Sequence, residues 1–349
     1  MRPPLISLAL AVLACGLFLA GCATAPSHRL TRQTGESMVF IGDEPSTLAF
    51  PPAIGGPLHL RSTYAPGPAT IVYEEGRDYR FDAARGTLTR LPGSRLPDFR
   101  TNVLHGQSDF DHTKFPGYGN KAFFAFADYP LESAVTWPVQ PTQVHRLQAT
   151  RARLAAGGAL TIVAFGDSIT NGGEASTPDL IFWQRWTDDL KAKYPSARLN
   201  AINGATGGDT TVRGLQRLQA KVLDAKPDLV LIGFGMNDHN RRGVPLPDFE
   251  RNLRDLVARI RASTTAEIVL FSTFPPNPKW THGTQRMAEY AAATGRVAND
   301  TGCAYADVFN HWQSMAARKR PEDLLANNIN HPNDFGHWIY YRVFSALGL

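Results

Sequence analysis

Residues 162–173 read IVAFGDSITNGG: an apolar run ends at Gly166, and Asp167 and Ser168 precede a glycine-rich turn. A serine at such a strand-to-helix turn exposes its hydroxyl. Its backbone N–H points into the start of a helix, where negative charge is favoured. Three later segments also carry polar groups that could do chemistry: NGATGGDT at 203–210, GFGMNDHN at 233–240 and NNINHPNDFGHWIYY at 327–341. Together the four supply serine, glycine, asparagine and histidine. Acyl transfer needs such a set: a nucleophile, a base and donors for the developing oxyanion. Purely structural roles compete. Ser168 could cap a helix, the glycines could only permit turns, and Asn237 could tie loops together. Asp167 is expected to hold its turn by hydrogen bonds and not to react.

The elements around these segments must bring them together. From residue 160 short apolar runs (LTIVAFG, ARLNAING, DLVLIGFG, AEIVLFSTF, CAYADVF) alternate with segments of helical spacing (LIFWQRWTDDLKAKY, TVRGLQRLQAKVLDA, LPDFERNLRDLVARIRAS, TQRMAEYAAATGRVAND). That alternation predicts a parallel sheet covered by helices on both faces. Ligands of such sheets bind beyond the C-terminal ends of the strands, where these motifs lie. Residues 37–135 differ: ATIVYEEGRDYRFDAARGTLTRL alternates apolar and polar positions around Gly76 and Gly86, the mark of short antiparallel strands. This stretch is expected to form a smaller β-sandwich domain. Residues 136–159 read as a linker, and 160–349 as the α/β domain.

GDSIT, the glycine-rich turn, GMND and the late His331-Pro332 pair, in that order, resemble the SGNH (GDSL-type) hydrolases, the lipase/acylhydrolase family, over about residues 160–349. The resemblance implies a three-layer α/β/α fold of flavodoxin type and a serine esterase needing no metal or cofactor. Ser168 would be the nucleophile and His331 the base that takes its proton and delivers it to the leaving alcohol. The oxyanion hole would combine Ser168, Gly208, which directly precedes Asp209-Thr210, and the side chain of Asn237. Gly207 and Gly204 are the alternatives to Gly208. His337, six residues after His331, is expected on the final helix and facing elsewhere. The chain departs from the family at one point: the usual aspartate three residues before the histidine is Asn328. Asparagine can orient a histidine, as in Cys-His-Asn proteases, so Asn328 is kept beside Ser168 and His331 as a catalytic candidate. A backbone carbonyl is the other option, leaving a Ser-His dyad. Asp334 is expected to start a helix.

The resemblance to esterases leads to a substrate expectation: short acyl groups, acetyl above all, on a carbohydrate. Tyr64, Tyr79, Phe115, Tyr118 and Trp137 could stack on sugars, although sandwich core accounts for most of them. A lipid or thioester acylhydrolase is the alternative and needs a long apolar groove. Phe182, Trp183 and Trp186 could line one, but their spacing suits the core face of a helix. A glycan-binding lipoprotein without catalysis, and acyl transfer to an alcohol, are further alternatives. HGQSDFDH at 105–112 gathers His105, Asp109, Asp111 and His112. It is expected to be a polar surface loop and not a metal site.

Composition narrows the partners. The net charge is +5 over 349 residues, with Lys and Arg scattered, so nucleic-acid binding is not expected. Residues 1–21 have an early arginine and an apolar stretch of signal-peptide type. Leu19-Ala20-Gly21-Cys22 resembles the bacterial lipobox, which implies a lipidated Cys22 that holds the protein to a membrane of the bacterial cell envelope, the outer membrane or a periplasmic face. Residues 22–36 would be the tether. Of three cysteines, Cys15 would leave with the signal. Cys303 is expected to be a small core residue.

Overall fold

The computed structural model describes residues 29–349; the signal segment, Cys22 and the first part of the expected tether lie outside them. The N-terminal region carries strands β1 (Arg29–Met38), β2 (Ser46–Thr47), β3 (His59–Arg61), β4 (Val72–Tyr73), β5 (Tyr79–Asp82), β6 (Thr87–Arg90) and β7 (Ala125–Thr136). They form two antiparallel sheets, ordered β1-β7-β3-β4 and β2-β6-β5. β1 begins within the stretch expected to be tether. Its charged and polar residues mislead, because Gln33, Glu36 and Ser37 are buried, with Glu36 and Ser37 paired to distant partners. Ser37 Oγ donates to the Asp323 carbonyl at 2.6 Å, and Glu36 meets Lys319 with both side chains fully buried.

Helix α1 (Gln148–Ala155) occupies the expected linker and leads into the second region. There β8 (Ala159–Gly166), α2 (Phe182–Lys193), β9 (Arg198–Asn203), α3 (Thr211–Lys221), β10 (Leu229–Gly233), α4 (Leu246–Ser263), β11 (Glu267–Phe271), α5 (Met287–Thr301) and β12 (Ala304–Ala306) alternate. Three helices follow: α6 (Val308–Ala316), α7 (Pro321–Leu324) and α8 (Asp334–Ser345). The five strands are all parallel, in the order β9-β8-β10-β11-β12. This is the flavodoxin-like order, whose direction of winding reverses between β8 and β10. β12 is shorter than the apolar run CAYADVF, since Asp307 caps α6 through the Asn310 N–H.

Packing follows the apolar spacing. Helix α4 buries Phe249, Leu253, Leu256, Val257 and Ile260 on one face, the stripe expected of a helix covering a sheet. Phe182, Trp183 and Trp186 are buried on α2, where they belong to the core and line no groove. One hydrophobic core runs from Met38, Phe40 and Leu60 of the N-terminal sheets to Phe165, Leu231 and Phe344 of the α/β region. The N-terminal strands are therefore packed as part of the same body. Tyr79 and Trp137 are buried within it, and Trp137 stacks on Trp338 at 5.2 Å. Phe115 and Tyr118 pack on a cluster around Phe110 and Trp280. Cys303 is buried and free.

Candidate active site

The reversal between β8 and β10 opens a crevice at their C-terminal ends, and three loops converge there. β8 and β10 end in register, Gly166 opposite Gly233. They approach so closely that a Cβ on Gly166 would lie 2.2 Å from the Gly233 carbonyl oxygen. The chain then turns sharply at Asp167 and Ser168. Asp167 Oδ1 accepts the Ile169 N–H at 3.0 Å. Burial pushes the Asp167 carboxyl up to about 7, so it behaves as a turn-holding group inside the core.

His331 Nε2 lies 2.8 Å from Ser168 Oγ. With the imidazole proton on Nδ1, Nε2 accepts the serine hydroxyl, the geometry of a nucleophile and its base. The loop carrying His331 is organised by Asn327, whose Oδ1 accepts the backbone N–H groups of Ile329, Asn330 and His331 at 3.0, 2.9 and 2.8 Å. Sequence reasoning passed over Asn327. Its signal would have been an asparagine opening a tight loop, the residue type that bonds backbone groups a few positions on.

Asn328 does not bond to His331. It adopts a left-handed backbone with φ 58°, a conformation asparagine tolerates. This turns its buried amide toward Asn277, whose Nδ2 donates to the Asn328 carbonyl at 2.9 Å. The expectation that Asn328 orients the histidine is therefore corrected: it shapes the turn. Asp334 starts α8 and accepts the Ser176 N–H at 2.8 Å, away from His331. His337 is buried on α8, and its Nε2 meets the Gly173 carbonyl at 3.2 Å. Burial lowers its titration to about 4, leaving a neutral ring behind the serine loop.

The group beside His331 Nδ1 is Glu174, whose Oε1 lies 3.8 Å away. The sequence reading did not single it out. Its position, six residues after Ser168 in SITNGGE, has no helical or strand periodicity to mark it. Gly173 lets the turn pass under the ring: a Cβ there would sit 3.2 Å from His331 Nδ1 and 2.9 Å from the Ser168 carbonyl oxygen.

Gly208, with φ +76°, follows β9, and Asn237 follows β10. Among the described residues no acceptor bonds the backbone N–H of Ser168 or Gly208, as a site for an incoming oxyanion requires. Asn237 Nδ2 donates one hydrogen to the Asp209 carbonyl at 2.9 Å, and its second remains available. Behind it, buried Asp238 accepts the Thr211 N–H and hydroxyl at 2.9 and 2.6 Å, tying the β10 loop to α3. A cleft of about 470 Å³ opens beside Gly208 and Asn237, lined also by Thr210, Asn240, Arg241 and His282. Among the described residues no apolar side chain lines it. A second cavity, about 620 Å³, lies between the N-terminal and α/β regions, with Tyr64, Phe124, Phe126 and Leu180 in its wall and Glu174 at its edge.

Of the polar loop at 105–112, Asp111 and His112 approach His282, with candidate ligand atoms within 4.8 Å of one another. The Trp280 indole N–H donates to His112 Nδ1 at 3.0 Å. The neutral ring then carries its proton on Nε2 and offers no free lone pair to a metal.

The sequence model of the GDSL-like Lipase/Acylhydrolase family matches residues 164–339. The chain is 29% identical over 144 residues to the Esterase TesA of Pseudomonas aeruginosa, covering 40% of this chain and 69% of that one. It is 26% identical over 165 residues to an Acetylxylan esterase of Geobacillus stearothermophilus, covering 44% of this chain and 74% of that one. Among solved structures, a two-domain esterase active on acetylated mannans, co-crystallized with mannopentaose, superposes with a TM-score of 0.49. It is 27% identical and covers 58% of this chain and 53% of that chain.

Proposed function

Since this chain belongs to the GDSL-like lipase/acylhydrolase family and is an esterase, we propose that it removes short acyl groups, acetyl in the first place, from a carbohydrate by a Ser168–His331 mechanism. The observation that carries the mechanism is the 2.8 Å contact between His331 Nε2 and Ser168 Oγ. Ser168 Oγ attacks the acyl carbon while its proton moves to His331 Nε2. The carbonyl oxygen becomes an oxyanion and takes the N–H groups of Ser168, Gly208 and Asn237 Nδ2. Collapse breaks the bond to the sugar oxygen, which leaves with the proton from His331. Water then attacks the acyl carbon and gives a proton to the same nitrogen; the bond to Ser168 Oγ breaks, Oγ takes that proton back from His331, and the acid leaves.

Two observations support the small acyl group and the sugar. The cleft at the oxyanion side is walled by polar groups and glycines alone, which suits a hydrated glycan better than an alkyl chain. One relative of this chain carries the name acetylxylan esterase. The cavity that Glu174 lines offers a second reading, an acyl chain lodged against Tyr64, Phe124 and Phe126, although Lys121, Asp179 and Asp334 line it as well. Hydrolysis of p-nitrophenyl esters of increasing chain length separates them. Activity that is highest on acetate and vanishes in Ser168→Ala supports the short-acyl esterase, with acetylated oligosaccharides as the next substrates. A maximum on the longer esters, where each buried methylene adds about 0.8 kcal/mol, supports the chain-lodging reading.

The lipidated Cys22 belongs to the same proposal, since it would hold the enzyme at a membrane surface facing extracellular or periplasmic glycan. Labelling of the cellular protein with a palmitate analogue, lost in Cys22→Ala, tests it; equal labelling of both overturns it.

A further inference from the structure

We propose that Glu174 is the carboxylate that positions His331, and that Lys121 of the N-terminal region holds it in place. This inference rests on the serine-esterase reading above. In that mechanism His331 becomes an imidazolium when it takes the Ser168 proton, and its Nδ1–H then needs an acceptor. In the structure Nδ1 is buried and has no hydrogen-bond partner among the described residues, with Glu174 Oε1 at 3.8 Å. Contacts of this kind are often long in a free enzyme and tighten when charge develops on the base. The other polar groups nearby are engaged elsewhere: Asn328 with Asn277, Asp334 with Ser176, and Asp167 with Ile169.

The backbone points the same way. Glu174 sits at φ 68°, a left-handed conformation, after Gly172 at φ 96°. A glutamate held there is uncommon and costs conformational energy that the surroundings must offset. The strained turn carries the chain from Ser168 under the imidazole and brings the carboxylate to its far nitrogen.

Lys121 takes the other carboxylate oxygen, with its Nζ 2.6 Å from Glu174 Oε2. It follows Asn120, which is wholly buried and clamped to the α/β region. The Asn120 N–H donates to the Ala326 carbonyl at 2.7 Å, and its Nδ2 to the Leu325 carbonyl at 2.8 Å. Residues 325 and 326 lead directly into the loop that Asn327 organises around His331. The backbone that carries the lysine is thus anchored to the same loop as the base, while the Lys121 side chain, 60% exposed, reaches Glu174 from the solvent side. Contact with His331 and the ion pair with Lys121 keep the Glu174 carboxyl down at about 2, ionised throughout the working range. The other titratable groups around this cluster are Asp334 and Asp179 in the cavity wall, with Tyr64 beyond them, and His337 beneath Gly173. Arg185, which donates to the Tyr64 hydroxyl, lies further out.

The proton stays on His331; Glu174 contributes charge and orientation only. This predicts opposite pH effects for the two partners. The full chain would be compared with Ser168→Ala, Glu174→Gln, Glu174→Asp and Lys121→Met, measuring p-nitrophenyl acetate hydrolysis across pH 5 to 9. Glu174→Gln is expected to lower kcat by about 10²–10⁴-fold with little change in KM. It should also move the acid limb of the rate profile down by about one pH unit, because the imidazolium loses its counter-charge. Glu174→Asp should recover part of the loss. Lys121→Met should move the acid limb up, because the carboxylate charge is no longer shared. A glutamate that only supports the turn would lower activity without these opposed shifts. If Ser168→Ala is inactive while Glu174→Gln keeps the native kcat and pH profile, the positioning role is overturned and the esterase reading stands. An unmoved acid limb in Lys121→Met overturns the part given to the N-terminal region. If Ser168→Ala keeps native activity, the esterase mechanism itself falls.

Discussion

Replacing Lys319 with methionine tests whether the N-terminal strands and the α/β region are one cooperative body. Lys319 Nζ lies 2.8 Å from Glu36 Oε1 and 3.1 Å from the Thr47 carbonyl. Both charged side chains are wholly buried. Glu36 also accepts the Tyr129 hydroxyl at 2.5 Å and the Ala49 N–H at 2.8 Å. Lys319→Met leaves that carboxylate buried with two donors and no counter-charge, which costs about 3–5 kcal/mol. If about 320 residues melt together, at about 2.1 cal/mol/K per residue, the loss lowers Tm by about 4–7 °C in one transition. If about 110 residues of the N-terminal region melt by themselves, their own transition falls by about 13–22 °C and the remainder keeps its Tm. Differential scanning calorimetry distinguishes the two. We expect a single transition and the smaller shift. Glu36→Gln added to Lys319→Met should recover most of it, since the amide carries no charge: its oxygen can accept the Ala49 N–H and its NH2 can donate to the Tyr129 hydroxyl oxygen. Two transitions, or a shift below about 2 °C, would refute the argument that one core and one buried ion pair unite the regions.

Asn237→Ala is expected to reduce kcat by about 10²–10³-fold while leaving KM close to native, the cost of one oxyanion donor. A loss under about tenfold would mean that its bond to the Asp209 carbonyl is its main role. Asp167 gives a stability prediction with a definite sign. Burial raises its carboxyl from 3.8 to about 7 in the folded chain. Its contribution is therefore fully present below about pH 4 and is lost as pH rises through about 7. Asp238, pushed up to about 6 by burial, acts in the same direction. Asp167→Asn should thus gain in Tm relative to the native chain between pH 5 and pH 8.5. A gap that narrows or stays constant over that range contradicts the assignment.

Much of this protein is legible residue by residue. The α4 stripe at Phe249, Leu253, Leu256, Val257 and Ile260 follows a period that any amphipathic helix must keep. The apolar runs that become β8, β10 and β11 are buried on both faces, so their composition alone announces a parallel sheet. The order of motifs at strand ends led to Ser168 and His331, whose side chains lie 2.8 Å apart, and to Gly208 and Asn237, which line one cleft. β1 was misread because a strand containing Gln33, Glu36 and Ser37 looks like a solvated tether. Glu36 and Ser37 are satisfied by Lys319 and Asp323, nearly three hundred residues away. Asn328 was misread because motif position says nothing about a left-handed turn that directs its side chain to Asn277.

The sequence by itself determined the alternation of strand and helix, the strand-end positions of the polar motifs and the family to which they belong. Each of these follows from local periodicity or from residues close in the chain. Tertiary structure alone decided what faces His331 Nδ1, because Glu174 and Lys121 come from loops separated by more than fifty residues and meet only when two sheets pack. It also decided that the N-terminal strands share the hydrolase core. Pairing of buried charges and the direction of a side chain in a strained turn are properties of three-dimensional neighbours, and one-dimensional spacing carries no trace of them.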